Sequence, residues 1–99
     1  MDIGTKNEWL NMITYNDNEI GKIYRDNDEY TIEINMWNGD IRILKTVNCR
    51  KIVHNVELAD EIGGIIVNDK AYKFLTVDDS DDGPETILEI EADEIILIK

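Results

Sequence analysis

The segment that most constrains the fold runs from Tyr30 to Val47, YTIEINMWNGDIRILKTV, where two runs of alternating apolar residues flank an Asn-Gly pair. Asn38 and Gly39 both tolerate the positive φ that the central positions of a type I′ turn require. The segment therefore predicts a β-hairpin with a two-residue loop, in which Met36 faces Ile41 across the two strands.

This pairing sorts the side chains of the hairpin onto two faces, because successive residues of a strand point to opposite sides. The predicted core face holds Tyr30, Ile32, Ile34, Met36, Ile41, Ile43 and Val47. The opposite face holds Thr31, Glu33, Asn35, Trp37, Asp40, Arg42, Leu44 and Thr46. Lys45 also falls on the core face, and we expect it near an open end with its ammonium group in solvent. A slip of one residue would destroy this sorting.

Other segments predict further short strands, at 19–25, around 50–53, and at 65–77 with a turn at Asn68-Asp69. Two more are expected at the end of the chain, where the last one, 94–98, is apolar on both faces as in a strand buried between other elements. Helical spacing of Trp9, Met12 and Ile13 indicates a short N-terminal helix, with an irregular or strand segment as the alternative. A helical turn is expected near 56–62.

These segments together indicate a mainly β fold. Six to eight short strands, few helical residues and one proline predict a small antiparallel β-sandwich or barrel. A chain of 99 residues suffices for one modest core, so we expect a single domain covering residues 1–99.

Charge is the main indicator of function. The chain has 22 acidic and 10 basic side chains, a net charge of −12. This charge repels nucleic acid and anionic membranes and favours a basic partner or cations, although solubility alone is an alternative explanation. The charge is also uneven, since residues 41–54 carry four basic and no acidic residues, whereas 78–99 carry nine acidic and one basic.

The location in the cell follows from composition and hydropathy. With Cys49 as the only cysteine, no internal disulfide can form, which favours a reducing compartment. The N-terminus lacks the basic and apolar regions of a signal peptide, and no apolar run approaches the ~20 residues that span a bilayer. We therefore expect a cytoplasmic protein that is not bound to a membrane.

Catalysis is poorly supported. Ser80, Cys49 and His54 are the only serine, cysteine and histidine, and Ser80 lies among aspartates. A cysteine nucleophile needs an oriented base in contact, and one Cys with one His does not supply a usual zinc ligand set. We therefore predict no enzyme activity and no cofactor.

The Asp-rich stretch VDDSDDGPE, residues 77–85, has two interpretations. DDSDDGPETILE matches the twelve-residue pattern of an EF-hand loop, in which Asp78, Ser80, Asp82 and Glu89 would be calcium ligands and Gly83 the turn glycine. The pattern departs from that family, because strand-like sequence and not a helix precedes the loop and no second hand is present. The other interpretation is a connecting loop that presents its charge to solvent or to a basic partner.

Two features are candidates for partner binding. Trp37 falls beside the hairpin turn on the polar face, and exposed tryptophan is a frequent interface anchor, with a covered core position as the alternative. The second feature is the acidic loop. The candidate partner-binding residues are Trp37, Asp78, Asp79, Asp81, Asp82 and Glu85.

The segment YKFLTVDDSDDGPETILEIEADEIILI, about 27 residues, resembles the C-terminal part of small, acidic, β-rich bacterial immunity-type proteins. The shared features are an aromatic-apolar strand, an Asp-rich turn, an LEI strand and a final Ile-rich strand. The resemblance implies a non-catalytic inhibitor that neutralises a toxin, for which a basic nuclease is a fitting target. Alternatives are a calcium-stabilised β module, a phage DNA mimic and an oligomerising structural β-domain.

Overall fold

A computed structural model of the protein describes residues 8–15, 17–58, 60–77 and 83–99. In chain order, the elements are α1 (Glu8–Thr14), β1 (Glu19–Asp26), β2 (Glu29–Asn35), β3 (Ile41–Val47), β4 (Lys51–His54), β5 (Gly64–Asn68), β6 (Ala71–Leu75), β7 (Thr86–Glu91) and β8 (Glu94–Leu97). They form two antiparallel four-stranded sheets, sheet A in the order β1-β2-β3-β8 and sheet B in the order β4-β7-β6-β5. The predicted mainly β sandwich and the short N-terminal helix are thus confirmed.

Strand pairing places the basic segment of the sequence beside the acidic segment. The basic segment supplies β3 and β4, and the acidic segment supplies their neighbours β8 and β7. Lys51 lies opposite Glu91 in the register, and its Nζ is 3.7 Å from Oε2 of Glu89. Opposite charges on adjacent strands favour the pairing of these strands.

The β2–β3 hairpin forms where it was predicted, but its loop has three residues. The backbone N–H of Met36 donates to the carbonyl of Asp40 (2.8 Å), so these two residues face each other. Within the loop, the N–H of Gly39 donates to the carbonyl of Met36 (3.0 Å), and Gly39 has a φ of 92°. This is the loop class in which a glycine in a left-handed conformation follows a tight turn.

The predicted two-residue loop is therefore wrong by one residue, and the error reverses the faces of β3. Ile34 lies opposite Arg42, and Ile32 opposite Leu44. Leu44 is fully buried, whereas Ile41 is exposed. The sorting of β2 is correct for its two buried isoleucines, whereas Ile41, Ile43 and Val47 do not share their face. On β3 the core-facing positions are instead Arg42, Leu44 and Thr46.

Helix α1 and both sheets close one core. Trp9 is buried and its ring stacks on those of Tyr72 and Phe74, with centroids 6.2 Å and 6.3 Å apart. Its indole Nε1–H donates to the carbonyl of Ile95 on β8, 2.9 Å away. The buried apolar side chains of the core are Trp9, Ile13, Ile20, Ile32, Ile34, Leu44, Ile62, Tyr72, Phe74, Ile87, Leu88, Ile90, Ala92 and Ile95.

One further expectation is corrected. Strand β8 is not buried between elements, because it is an edge strand of sheet A with Ile96 exposed. The segment expected to hold a helical turn near 56–62 has a hydrogen-bonded turn, from Leu58 N–H to the Asn55 carbonyl at 3.3 Å, and then an extended bridge at Glu61. No helix in the described ranges has the length and apolar character to cross a membrane.

Candidate protein-binding surface

Asn18 is a buried polar residue that connects α1 to the β2–β3 loop. Its side-chain Nδ2 donates to the carbonyls of Ile13 and Tyr15, both at 2.7 Å, and so satisfies orphan carbonyls at the end of the helix. Its Oδ1 accepts a 2.9 Å hydrogen bond from the backbone N–H of Trp37. One side chain therefore fixes the backbone at the base of two aromatic residues.

Those aromatic residues point outward. Trp37 is 59% exposed and Tyr15 is 68% exposed, and Met12, one helical turn before Tyr15, is 36% exposed. We call the two aromatic residues Trp37 and Tyr15, together with the neighbouring Met12, the aromatic patch. Rigid tryptophan and tyrosine provide large contact area at a low cost in conformational entropy, which is why they are frequent in binding sites. The predicted exposure of Trp37 is therefore present, and the patch also includes Tyr15, which the sequence analysis did not single out, and Met12, which it placed on α1.

The neck of the acidic loop lies at the same end of the sandwich as Trp37. The N–H of Ile62 donates to the carbonyl of Asn18 (2.9 Å), and the N–H of the following Gly63 donates to that of Leu75 (2.8 Å). The loop then closes at Thr76, whose N–H donates to the carbonyl of Glu85 (2.8 Å). A continuous chain of backbone contacts thus joins the aromatic patch to the neck.

We call this end of the molecule the hairpin end: the β2–β3 loop, the C-terminus of α1, the start of β1, residues 60–63 and the loop neck. Of the predicted partner-binding residues, Trp37 and Glu85 lie here and are exposed. Asp78, Asp79, Asp81 and Asp82 lie outside the described residues. The two described members of the predicted set therefore lie at the same end of the molecule, Trp37 in the β2–β3 loop of sheet A and Glu85 just before β7 of sheet B.

The hairpin end is acidic. Its described acidic residues are Asp17, Glu19, Asp40, Glu57, Asp60, Glu61 and Glu85. Among them, Asp60 has a nearby imidazole, with Oδ1 3.3 Å from Nε2 of His54. In the described part of the chain, the ion pairs that involve lysine or arginine lie at or next to the opposite end: Arg25–Asp28, Arg50–Glu91, Arg50–Asp93, Lys51–Glu89 and Lys70–Asp93.

We call that opposite end the corner end. There, Asp93 links the β7–β8 connection to the β3–β4 and β5–β6 connections. Its carboxylate accepts hydrogen bonds from Nδ2 of Asn48 (2.8 Å), Nη1 of Arg50 (2.8 Å) and Nζ of Lys70 (3.0 Å). These donors hold the pKa of Asp93 well below its ordinary value, with Asn48 the largest contributor. Four of the nine described lysine and arginine residues thus form ion pairs at or next to this end and do not neutralise the hairpin end: Arg25, Arg50, Lys51 and Lys70.

Glu29 has a similar structural role at the corner end. Its carboxylate accepts hydrogen bonds from the hydroxyl of Thr46 (2.8 Å) and the backbone N–H groups of Asn48 (2.7 Å) and Cys49 (3.2 Å). These contacts, the Thr46 hydroxyl foremost, lower the pKa of Glu29. Asp93 and Glu29 therefore both stabilise the connections between strands at the corner end.

Only one of the four proposed calcium ligands, Glu89, lies among the described residues. Glu89 lies within β7, with its carboxylate 3.7 Å from Lys51 Nζ. Asp78, Ser80 and Asp82 fall outside the described residues, so calcium binding stays a prediction. Across the described ranges, no group of three or more His, Cys, Asp or Glu side chains has the arrangement of a metal site.

Cys49 lies two residues before the short strand β4, and His54 is the last residue of this strand. The thiol of Cys49 is 3.5 Å from the carbonyl oxygen of Lys51, and His54 instead contacts Asp60. The thiol and the imidazole are therefore held by different neighbours.

Sequence patterns did not identify Asn18 or Tyr15 as part of a site, and for Asn18 the reason is physical. Asn18 lies in the polar stretch NDNE, whose composition is typical of a solvated turn, and no periodic signal marks it as buried. Comparison with protein-family models, with curated proteins and with solved structures finds no match to this chain. A functional proposal therefore rests on the geometry and charge of this surface.

Proposed function

We propose that this protein is an acidic, non-catalytic binding protein that inhibits a basic protein partner, in the role of an immunity protein that neutralises a bacterial toxin. The observation that carries the proposal is the aromatic patch, held in place by the buried Asn18 and surrounded by carboxylates with few basic neighbours. An interface of this kind combines a central aromatic anchor with a charged surround.

Pre-organisation supports a binding role. The backbone of Trp37 is fixed by the hydrogen bond to Asn18, so part of the ordering cost is met before a partner arrives. The indole itself is largely exposed and therefore available for contact. Exposing a large aromatic side chain in this way contributes little to folding, which is consistent with a role in recognition.

The separation of charge supports a basic partner. The carboxylates of the hairpin end add to a net charge of −12, and the resulting field accelerates encounter with a positively charged surface. Nuclease toxins bind phosphate and so carry such a surface, which makes a nuclease a fitting target. An inhibitor of this type covers the basic site and needs no catalytic residue of its own.

The test is affinity capture with the tagged protein from its native host, together with co-purification of the product of the adjacent gene. We expect a basic partner whose association weakens as ionic strength rises. Trp37→Ala should weaken binding about 30-fold or more, because central tryptophans contribute about 2 kcal/mol or more.

The matched control is Tyr24→Ala, which removes an exposed aromatic side chain from β1, away from the hairpin end. This variant should bind as the parent does. Capture of no basic partner, or an affinity that does not respond to salt, contradicts the proposal. Equal losses in the two variants would place the interface elsewhere.

A further inference from the structure

A cavity of about 470 Å³ opens at the hairpin end, next to the β2–β3 loop. It is lined by Gly39, Asp40, Ile41, Arg42 and Lys99. Two of these five residues are basic, although the rest of this end is rich in carboxylates. The cavity therefore combines two cationic side chains with the carboxylate of Asp40, next to the β2–β3 loop.

Arg42 is the unusual member of this lining. It lies on β3 opposite Ile34, two residues from the fully buried Leu44, so its side chain starts from the core-facing side of sheet A. Its Nε is buried and has no hydrogen-bond partner among the residues that the structure describes. A buried donor left unpaired is unfavourable, so an acceptor that reached it would be stabilised.

Arg42 also has no carboxylate partner within the described ranges, whereas Arg25 and Arg50 each pair with one. In a chain with 22 acidic side chains, an arginine without an ion pair is an exception. The guanidinium group is therefore available to an acceptor from outside the chain.

The chemistry of the lining selects the class of ligand. A guanidinium group presents paired N–H donors that match the two oxygens of a carboxylate. Lys99, in the same lining, adds a second positive charge. Asp40 in the same lining, together with the net charge of −12, disfavours the higher charge of a phosphate.

We propose that Arg42 and Lys99 form a carboxylate-binding site in this cavity. The site takes a single carboxylate group, supplied by an acidic side chain of a protein partner or by a free small carboxylate. In the first case it sets the orientation of the partner on the aromatic patch, and to that extent it rests on the function proposed above. Its test needs only the isolated protein, so its outcome is independent of whether a partner is captured.

The test is a ¹⁵N NMR titration at constant ionic strength that follows the Nε–Hε signal of Arg42 and the amides of Gly39 and Ile41. The probes are acetyl-Gly-Glu-Gly-amide, its glutamine counterpart as neutral control, and acetate. We expect saturable shifts with the glutamate peptide and none with the glutamine peptide. Tighter binding of the peptide than of acetate assigns the site to a protein side chain, and equal binding assigns it to a free carboxylate.

Two variants locate the effect. Arg42→Gln should abolish the shifts at Gly39 and Ile41, and the remainder of its spectrum shows whether it is folded. Lys99→Gln changes an exposed side chain and should weaken binding about threefold, as expected for a partly solvated charge. Equal responses to the two peptides, or shifts that persist in both variants, would overturn the proposal.

Discussion

The side-chain Oδ1 of Asn18 accepts a 2.9 Å hydrogen bond from the backbone N–H of Trp37, and Asn18 is completely buried. Through this contact a core residue positions an exposed aromatic side chain. The same amide group donates to the carbonyls of Ile13 and Tyr15. The aromatic patch is therefore a product of core packing and is not an independent surface feature.

Asn18→Ala should lower the free energy of unfolding by about 3 kcal/mol, because it leaves several buried backbone groups without partners. Chemical denaturation measures this change. Asn11→Ala, an exposed asparagine on α1, is the matched control and should change stability by less than about 0.5 kcal/mol. Similar stabilities of the two variants would show that the Asn18 contacts are dispensable.

Adjacent glycines provide a second comparison. A Cβ at Gly63 would lie 2.4 Å from the carbonyl oxygen of Thr76 and 2.6 Å from Cα of Val77, whereas a Cβ at Gly64 would meet nothing within 4 Å. Gly63→Ala should therefore destabilise the protein by about 2 kcal/mol and displace the neck of the acidic loop. Gly64→Ala should be neutral or stabilising by up to about 1 kcal/mol.

Thermal unfolding of both glycine variants, with backbone chemical shifts at 75–77, checks this expectation. If Gly63→Ala matched Gly64→Ala in stability and left those shifts unchanged, the close approach of the two segments would be refuted.

The hairpin register makes a third prediction. Leu44→Ala should cost about 3 kcal/mol, because it leaves a cavity in the core, while Ile43→Ala on the outer face should cost about 1 kcal/mol. Denaturant titration of the two variants measures the difference. The register with a two-residue loop predicts the reverse order, so the sign of the difference decides between the two loops.

The corner end gives a pH dependence. Because the folded protein holds the pKa of Asp93 below its ordinary value of 3.8, the ionised carboxylate adds stability above that pH. This contribution is lost as pH falls through the folded-state pKa. Asp93→Asn should therefore lower Tm at pH 7, and the gap from the parent should narrow below about pH 4.

Asp26→Asn, which makes the same charge change at an exposed position, serves as the control for Asp93→Asn and should leave Tm nearly unchanged at pH 7. A gap in Tm for Asp93→Asn that stayed constant down to low pH would exclude ionisation of this carboxylate as its cause.

Local patterns determined the elements of this protein. Alternation of apolar residues around the Asn-Gly pair located the β2–β3 hairpin. The spacing of Trp9, Met12 and Ile13 located α1, in which Trp9 and Ile13 are buried and Met12 is exposed. Such patterns succeed because they depend only on neighbouring residues and on the periods of strand and helix.

Tertiary structure decided the register and the sites. An Asn-Gly pair suits a two-residue loop and also a three-residue loop that ends in a left-handed glycine, so residues 36–41 do not distinguish them. The choice depends on burying Leu44 against the second sheet. Likewise, Asn18 and Trp37 are 19 residues apart in the chain and meet only in the folded protein. These contacts are long-range, and their energies depend on packing between elements that no local segment encodes.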